Sequence, residues 1–451
     1  MSALPYPKYK DSKVQWLGAV PAHWEVKALK KIVAVPVTDG PHETPQFLDE
    51  GILFVSAEAV SSGRIDFSKA RACISAEDNA RYSLKYYPKL HDIYMVKSGA
   101  TTGVTAIVED RIDFNIWSPL AVIRCGEEAI PHFVLNFMRS RNFLEAITLN
   151  WSFGTQQNIG MGVIENLACV VPPREEQSAI ATFLDRETGK IDTLVAEQER
   201  LMALLKEKRQ AVISQAVTKG LDPNAPMKPS GLEWLGEVPV EWEIMPLKHL
   251  VRFVSGGTPS KEREDYWEGD IPWVSPKDMK KWIVTGDADQ ITAEAAAASN
   301  LVLVEPDTVM IVVRGMILAH SFPVALSGRR LTINQDMKAL IPSHHIYSRY
   351  LAYTLVAHKQ AVAEFIDEAG HGTRAMRMEG FASFKISVPS RDQQMKIVDF
   401  LDKEIDKLAS LSTEAARAVA LLKERRAALI SAAVTGKIDV RGLAASAQEA
   451  A

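Results

Sequence analysis

The sequence predicts an α+β fold: two pseudo-symmetric domains separated by two long antiparallel coiled-coil helices. Three observations carry that prediction. A tryptophan-bearing segment, Ser12 to Glu25, returns as Ser230 to Glu243, with Trp16 answered by Trp234 and Trp24 by Trp242. A second block returns at nearly the same spacing: Phe183-Leu184-Asp185 as Phe400-Leu401-Asp402, and Ala216-Val217-Thr218 as Ala433-Val434-Thr435. Between the repeated blocks lie two stretches of mixed strand and helix pattern, each roughly 140 residues and large enough for its own core. Solenoid units run to only about 20–50 residues, so this repeat is a duplicated half-molecule.

In chain order, an N-terminal entry segment (1–25) leads into a first variable domain (26–173). There Ile52-Leu53-Phe54-Val55 and Ala121-Val122-Ile123 read as strands, and His132 to Ile147 has helical spacing of apolar residues. A central spacer helix follows (174–219). A Pro-rich linker and second entry segment (220–243) opens the second copy. In its variable domain (244–389), Ile271-Pro272-Trp273-Val274 and Thr308 to Val313 read as strands, and Tyr347 to Ile366 as a helix. A distal spacer helix (390–437) and a small, polar, frayed tail (438–451) complete the chain.

The two spacer helices are the clearest local signal. Ile180, Leu184, Glu187, Ile191, Leu194, Gln198, Leu201, Leu205, Lys208 and Val212 alternate steps of four and three, a heptad seam. The second copy repeats it from Ile397 to Leu429, with Glu404 at the position of Glu187 and Arg425 at that of Lys208. Pro172-Pro173 and Pro389 restrict the backbone at the two helix entries. A helix of about 45 residues is roughly 65 Å long, and one apolar stripe of that length needs a partner. Antiparallel pairing predicts a helix register in which Glu187 faces Arg425 and Glu404 faces Lys208. The alternative is that all four are solvated flank residues.

Composition narrows the function. The chain of 451 residues is 47% hydrophobic and 24% charged, with a formal charge of −4. No apolar run reaches the roughly 20 residues of a membrane helix, and the N-terminus lacks an apolar signal core, so a cytoplasmic protein is expected. Cys73, Cys125 and Cys169 stand singly and read as buried small hydrophobes, with no metal site predicted. A self-sufficient DNA binder usually carries a basic excess, so any grip on DNA is local or shared with a partner.

Several stretches resemble the specificity subunit of type I restriction–modification systems. Trp-Leu-Gly-x-Val-Pro-x-x-Trp-Glu stands at 16–25 and again at 234–243. Ser255-Gly256-Gly257-Thr258-Pro259-Ser260, then Tyr266-Trp267 and Gly269 to Ser275, look like the opening of a target-recognition domain, with Asp39 to Pro45 the first domain's variant. Ser98-Gly99-Ala100-Thr101-Thr102-Gly103 resembles the family's mid-domain turn, and Arg314-Gly315-Met316-Ile317 is a poorer version of it. Pro173 to Gln177 and Ser390 to Gln394 look like its helix openings. The resemblance covers nearly the whole chain. It implies a non-catalytic DNA reader in which each variable domain binds one half of a split, asymmetric site and the helices fix the unread gap. It also implies docking of two methyltransferase subunits and of restriction subunits that translocate and cut. S-adenosylmethionine, ATP and Mg would then belong to those partners, and this chain would hold no cofactor.

Base reading needs amide, hydroxyl or cationic side chains on loops. In the first domain the candidates are His42, Thr44, Gln46, Thr101, Thr102, Asn150, Ser152, Thr155, Gln156, Gln157 and Asn158. The run Asn150 to Asn158 either reads adenines or is a polar loop anchored by Trp151. In the second domain they are Thr258, Ser260, Lys261, Arg263, Tyr266, Arg314, His371, Thr373, Arg374 and Arg377, with Gly372-Thr373 answering Gly154-Thr155. Arginine is the commonest bidentate partner of guanine, so the second domain would favour G where the first favours A. Trp16, Trp24, Trp234 and Trp242 recur too regularly to read sequence and are assigned to packing or partner docking.

Two rival readings stand beside this one. A DNA methyltransferase would need an Asn/Asp-Pro-Pro-aromatic motif, but the single Pro-Pro, in Val171-Pro172-Pro173-Arg174, lacks both flanking groups. An assembly scaffold with degenerate DNA recognition would share every motif above and differ only in having no preferred site.

Overall fold

The computed structural model describes residues 4–61, 63–153, 157–369 and 372–445. It divides into two compact units, Met1–Glu199 with Ala416–Ala451, and Arg200–Ala415. The division cuts through both long helices, Arg174–Lys219 and Arg391–Val434, so each helix gives one half to each unit.

In the first unit the entry segment is a hairpin, Tyr9–Asp11 against Ala19–Pro21. Glu25–Ala28 then pairs antiparallel with Ala168–Val171, so the domain's first and last strands close on each other. Between them lies a four-stranded sheet in the order Thr38–Asp39, Leu120–Ile123, Ile93–Val96, Thr105–Ile107. A three-stranded sheet orders Ala72–Ile74, Ile52–Val55 and Phe114–Ile116. The helix expected from His132 to Ile147 is two helices, Pro131–Met138 and Arg141–Asn150. Ser140 breaks it: its hydroxyl caps the second helix by accepting from Phe143 N at 3.2 Å, which an uninterrupted helix would forbid. The core gathers Trp24, Phe133, Phe137 and Phe143 with Ile180 and Leu184 of the first long helix and Ile430, Ala433 and Val434 of the second. Each fully buried leucine or isoleucine there contributes about 1.5–3 kcal/mol.

The second unit repeats the plan. Met227–Pro229 pairs with Glu237–Pro239, and Glu243–Pro246 with Lys385–Val388. Its main sheet has five strands, ordered Val251–Ser255, Met337–Pro342, Val309–Val312, Val324–Ser327, Ile283–Val284. The helix expected from Tyr347 to Ile366 also breaks, into Ser348–Ala357 and Lys359–Ala363, and the chain is already a strand at Ile366. His358 sits at the break, buried, its ring edge-on to Trp234 at 4.7 Å and its Nε2 without a hydrogen-bond partner. Burial pushes its pKa down to about 4, so it is neutral.

Both long helices are tied to their domains by the same device. Gln177 accepts from Ile130 N at 2.8 Å and donates to the carbonyls of Glu128 and Pro172. Gln394 accepts from Tyr347 N at 2.7 Å and donates to those of His345 and Pro389. These buried amides explain why both helix openings end in glutamine.

The helices run antiparallel in the first unit, where Arg426 reaches Asp192 at 2.8 Å and Lys423 reaches Glu199 at 3.2 Å. The expected charge register is corrected here. Glu187 is held by Arg186 and Lys190 of its own helix, both at 2.9 Å, and no ion pair joins it to Arg425 among the described residues. Nor does one join Glu404 to Lys208 there. The pairs Asp192–Arg426 and Glu199–Lys423 set a register shifted from the expected one, which carries Arg425 out of Glu187's reach.

The tail as far as Ala445 is better held than a frayed end. Asp439 N donates to Leu4 O at 2.8 Å, Arg441 reaches Glu176 at 3.4 Å, and Arg441–Ala445 is a short helix. Trp24 and Trp242 are buried, as the packing assignment of the repeated tryptophans requires.

Candidate nucleic-acid interface

In each unit, backbone hydrogen bonds bring three separate loops together. In the first, Gly99 N donates to Gln157 O at 2.9 Å, and Ser98 bridges Asn158. The mid-domain turn therefore lies against the hairpin of Ser152–Phe153 and Gln157–Asn158. Thr102 spends its hydroxyl on Gly99 O at 2.7 Å, Asn150 its amide on Ala146 O, and Ser152 its hydroxyl on Asn158 O. These three therefore shape the loops. Gln157 and Asn158 are exposed, and Thr155 and Gln156 lie outside the described residues.

The third loop joins through a carboxylate. Asp39 is buried and receives Lys85 at 2.5 Å and Lys97 at 2.8 Å, with His42 Nε2 at 3.0 Å. Burial opposes its ionisation, but the two lysine hydrogen bonds outweigh that and hold its carboxyl below the usual range. One carboxylate against two ammoniums leaves a positive charge beside the turn, since Lys97 immediately precedes Ser98. Neither lysine was a sequence candidate, and no spacing in the chain marks them. Thr44 and Gln46 lie exposed on the same loop. Gly40 is required where that loop passes the sheet, because a Cβ there would sit 2.2 Å from Ile116 O.

The second unit builds the same junction with different side chains. A Cβ on Gly256 would sit 2.0 Å from Ile333 O, the counterpart of the Gly40 contact. Arg314–Gly315 pairs with Arg374–Met376, which pairs in turn with Ile366–Glu368. The poorer mid-domain turn thus occupies the same place as the better one. Thr258 hydrogen-bonds Gln335, and Arg314 N donates to Asp336 O at 3.2 Å, so the opening loop joins the junction too.

The arginines separate by partner. Arg263 is paired with Asp265 and Glu294 and lies over the Tyr266 ring at 4.2 Å. Arg377 is paired with Asp367 at 2.8 Å. Arg314 and Arg374 have no acidic partner among the described residues, and they stand on adjacent strands, Arg314 opposite Ala375 and Arg374 opposite Gly315. Ser260 accepts from Trp267 through its carbonyl, and Lys261 and Thr373 are placed on the same loops. His371 lies outside the described residues.

Beside the first unit's turn, Thr102, Arg64, Arg139 and Arg426 line a cleft of about 970 Å³ together with Glu109, Asp110, Asp185 and Asp192. Burial pushes the pKa of Arg139 down to about 10, and its guanidinium donates to Thr105 O at 3.2 Å. Three arginines face four carboxylates there, so the excess positive charge sits at the turn and not in the cleft.

Against this geometry, the family described as "Type I restriction modification DNA specificity domain" matches residues 239–417. That match covers under half of the chain and lies almost wholly within the second unit. The chain is 38% identical to the EcoR124I/EcoR124II specificity subunit of Escherichia coli over 176 residues, covering 39% of this chain and 43% of that one. It is 27% identical to the MjaIX specificity subunit of Methanocaldococcus jannaschii over 172 residues, covering 37% and 38%. The matched stretches thus span under half of these two relatives. The putative MjaX specificity subunit of the same organism matches at 23% identity over 97% of this chain and 99% of its own length. The specificity-subunit fold is shared with the HsdS crystal structure from Thermoanaerobacter tengcongensis, at TM-score 0.52, 17% identity and coverage of 93% and 98%. It is shared more closely with a chain from a structure titled for complex assembly and conformational transition of the type I R-M system, at TM-score 0.70, 16% identity and coverage of 92% and 98%.

Proposed function

We propose that this chain is the non-catalytic DNA-reading subunit of a type I restriction–modification complex, each unit reading one half of a bipartite, asymmetric site. The observation that carries the reading is the repeated junction: one loop architecture, furnished with exposed amides and a doubly lysine-bound aspartate in one unit and, in the other, with arginines that have no acidic partner among the described residues. A conserved scaffold with exchanged side chains is what two readers of different sequences need. Amides favour adenine and arginines favour guanine, and each good bidentate pair contributes about 1–3 kcal/mol of discrimination.

The formal charge of −4 supports shared grip: two methyltransferase subunits would supply phosphate contacts, bind S-adenosylmethionine and methylate adenine. Restriction subunits using ATP and Mg would join for cleavage, in the cytoplasm. Among the described residues no helix is long and apolar enough to cross a membrane. Leu194, Leu201, Leu204, Leu411 and Leu421 are 42–56% exposed on the long helices, apolar surface of the kind partner helices cover.

The test is co-expression with the cognate methyltransferase and single-molecule mapping of N6-methyladenine. A split motif methylated on both strands is expected. Methylation with no preferred site would leave an assembly scaffold, and methylation by the purified chain alone would make it an enzyme.

A further inference from the structure

The two entry segments differ at one place where the repeat predicts they should agree. In the first unit Tyr6 is 3% exposed and packs edge-on against Trp24 at 5.5 Å. Its hydroxyl donates to Glu176 at 3.1 Å, the same carboxylate that accepts the Trp24 indole N–H at 2.9 Å. His23 Nε2 lies 2.7 Å from that carboxylate's other oxygen, and the Arg441 guanidinium covers the tyrosine ring at 5.0 Å. A tyrosine is thus seated in a built socket by a proline-bracketed segment, Pro5-Tyr6-Pro7.

The second unit has the socket without the tyrosine. The backbone correspondence is close. Val240 N donates to Pro226 O as Ala22 N does to Lys8 O, both at 2.9 Å. Gly220 and Gly436 both have positive φ and lie so close to their tryptophans that a Cβ would be 3.2 Å from the Trp242 ring and 3.1 Å from the Trp24 ring. Asp222 accepts from Asn224 N as Asp439 accepts from Arg441 N. Trp242, Gln393, Glu241 and Asp222 therefore stand where Trp24, Glu176, His23 and Asp439 stand around Tyr6. All four line a cleft of about 260 Å³. Asn224, which answers Tyr6 in the entry repeat and Arg441 in the helix repeat, is exposed. The Trp242 indole N–H has no partner among the described residues, because Gln393 turns its carbonyl oxygen to Ser390. One water occupies only about 30 Å³, so the cleft has room for a ring.

We propose that this cleft is a docking socket for a tyrosine side chain on an extended, proline-bracketed segment of a partner polypeptide. The ring would stack on Trp242 and Pro239, and its hydroxyl oxygen would accept the Trp242 N–H that the chain itself leaves open. The occupant is read from the first unit, where the chain fills the equivalent socket with its own tyrosine. The inference is independent of DNA reading.

The experiment titrates the full chain with a fluorescent peptide of the sequence Leu-Pro-Tyr-Pro-Lys-Tyr-Lys, that of residues 4–10, and reads anisotropy. Saturable binding is expected, weakened at least tenfold when alanine replaces the peptide's first tyrosine. Ala225→Trp, which fills the second unit's cleft and leaves the first unit untouched, should abolish it. Gln393→Glu, which restores the first unit's carboxylate, should tighten it several-fold. Absence of saturation into the millimolar range, or binding indifferent to Ala225→Trp, overturns the proposal. Self-association of the chain that disappears in Tyr6→Ala would make the occupant a second copy and also overturn it.

Discussion

His358 is held neutral between Trp234 and the core of the second unit, and the unfolded chain would protonate it near pH 6.5. Between about pH 6.5 and about 4 the unfolded state therefore binds the extra proton. Stability falls as pH drops through that window and levels off below it. The loss is on the order of 3 kcal/mol, and His358→Phe should remove that share of the slope in urea melts taken from pH 7 to pH 4.5. Asp92 poses the opposite problem. It is 1% exposed and accepts from Tyr86, from Lys89 N and twice from Arg124 at 2.6–2.8 Å. Asp92→Ala strips a half-buried guanidinium of its carboxylate and leaves the Tyr86 hydroxyl and Lys89 N without their acceptor, which should cost about 3 kcal/mol, read as a lowered urea midpoint. At the interface, Arg314→Ala should weaken binding of the assembled complex to its site by about 1–3 kcal/mol and relax specificity at one base pair, whereas Arg263→Ala, already spoken for by two acids, should change it little.

Among elements, the long helices offer the sharpest prediction. A double-mutant cycle on Asp192 and Arg426 should show coupling of about 0.2–1 kcal/mol in thermal or urea unfolding, and the same cycle on Glu187 and Arg425 should show none. The helices themselves were plain in the sequence, because a heptad seam repeated over about nine turns has no competing reading. Their charge register was not, because heptad spacing fixes which face is apolar and says nothing of which flank partner a carboxylate reaches first. Likewise the strands Ile52–Val55 and Ile271–Val274 were legible from apolar runs between turn residues. The breaks at Ser140 and His358 were hidden inside continuous apolar periodicity. At the interface, the loops were legible from their resemblance to known openings and turns. Lys85 and Lys97 were not, since they meet Asp39 only through the sheet.

At the scale of the whole chain, unit boundaries and sequence order disagree. The second unit is contiguous, Arg200–Ala415, but the first needs Ala416–Ala451 to supply Ile430, Ala433 and Val434 to its core. A ribosome therefore finishes the later unit before the earlier one can close. The N-terminal half must wait, its apolar face uncovered, until Ala416–Ala451 emerges. A chain stopped after Ala415 should keep amide-exchange protection in Val309–Val312 and lose it in Ile93–Val96. Lesions that remove the chain from Ala416 onward would thus strike the amino-terminal unit and spare the other.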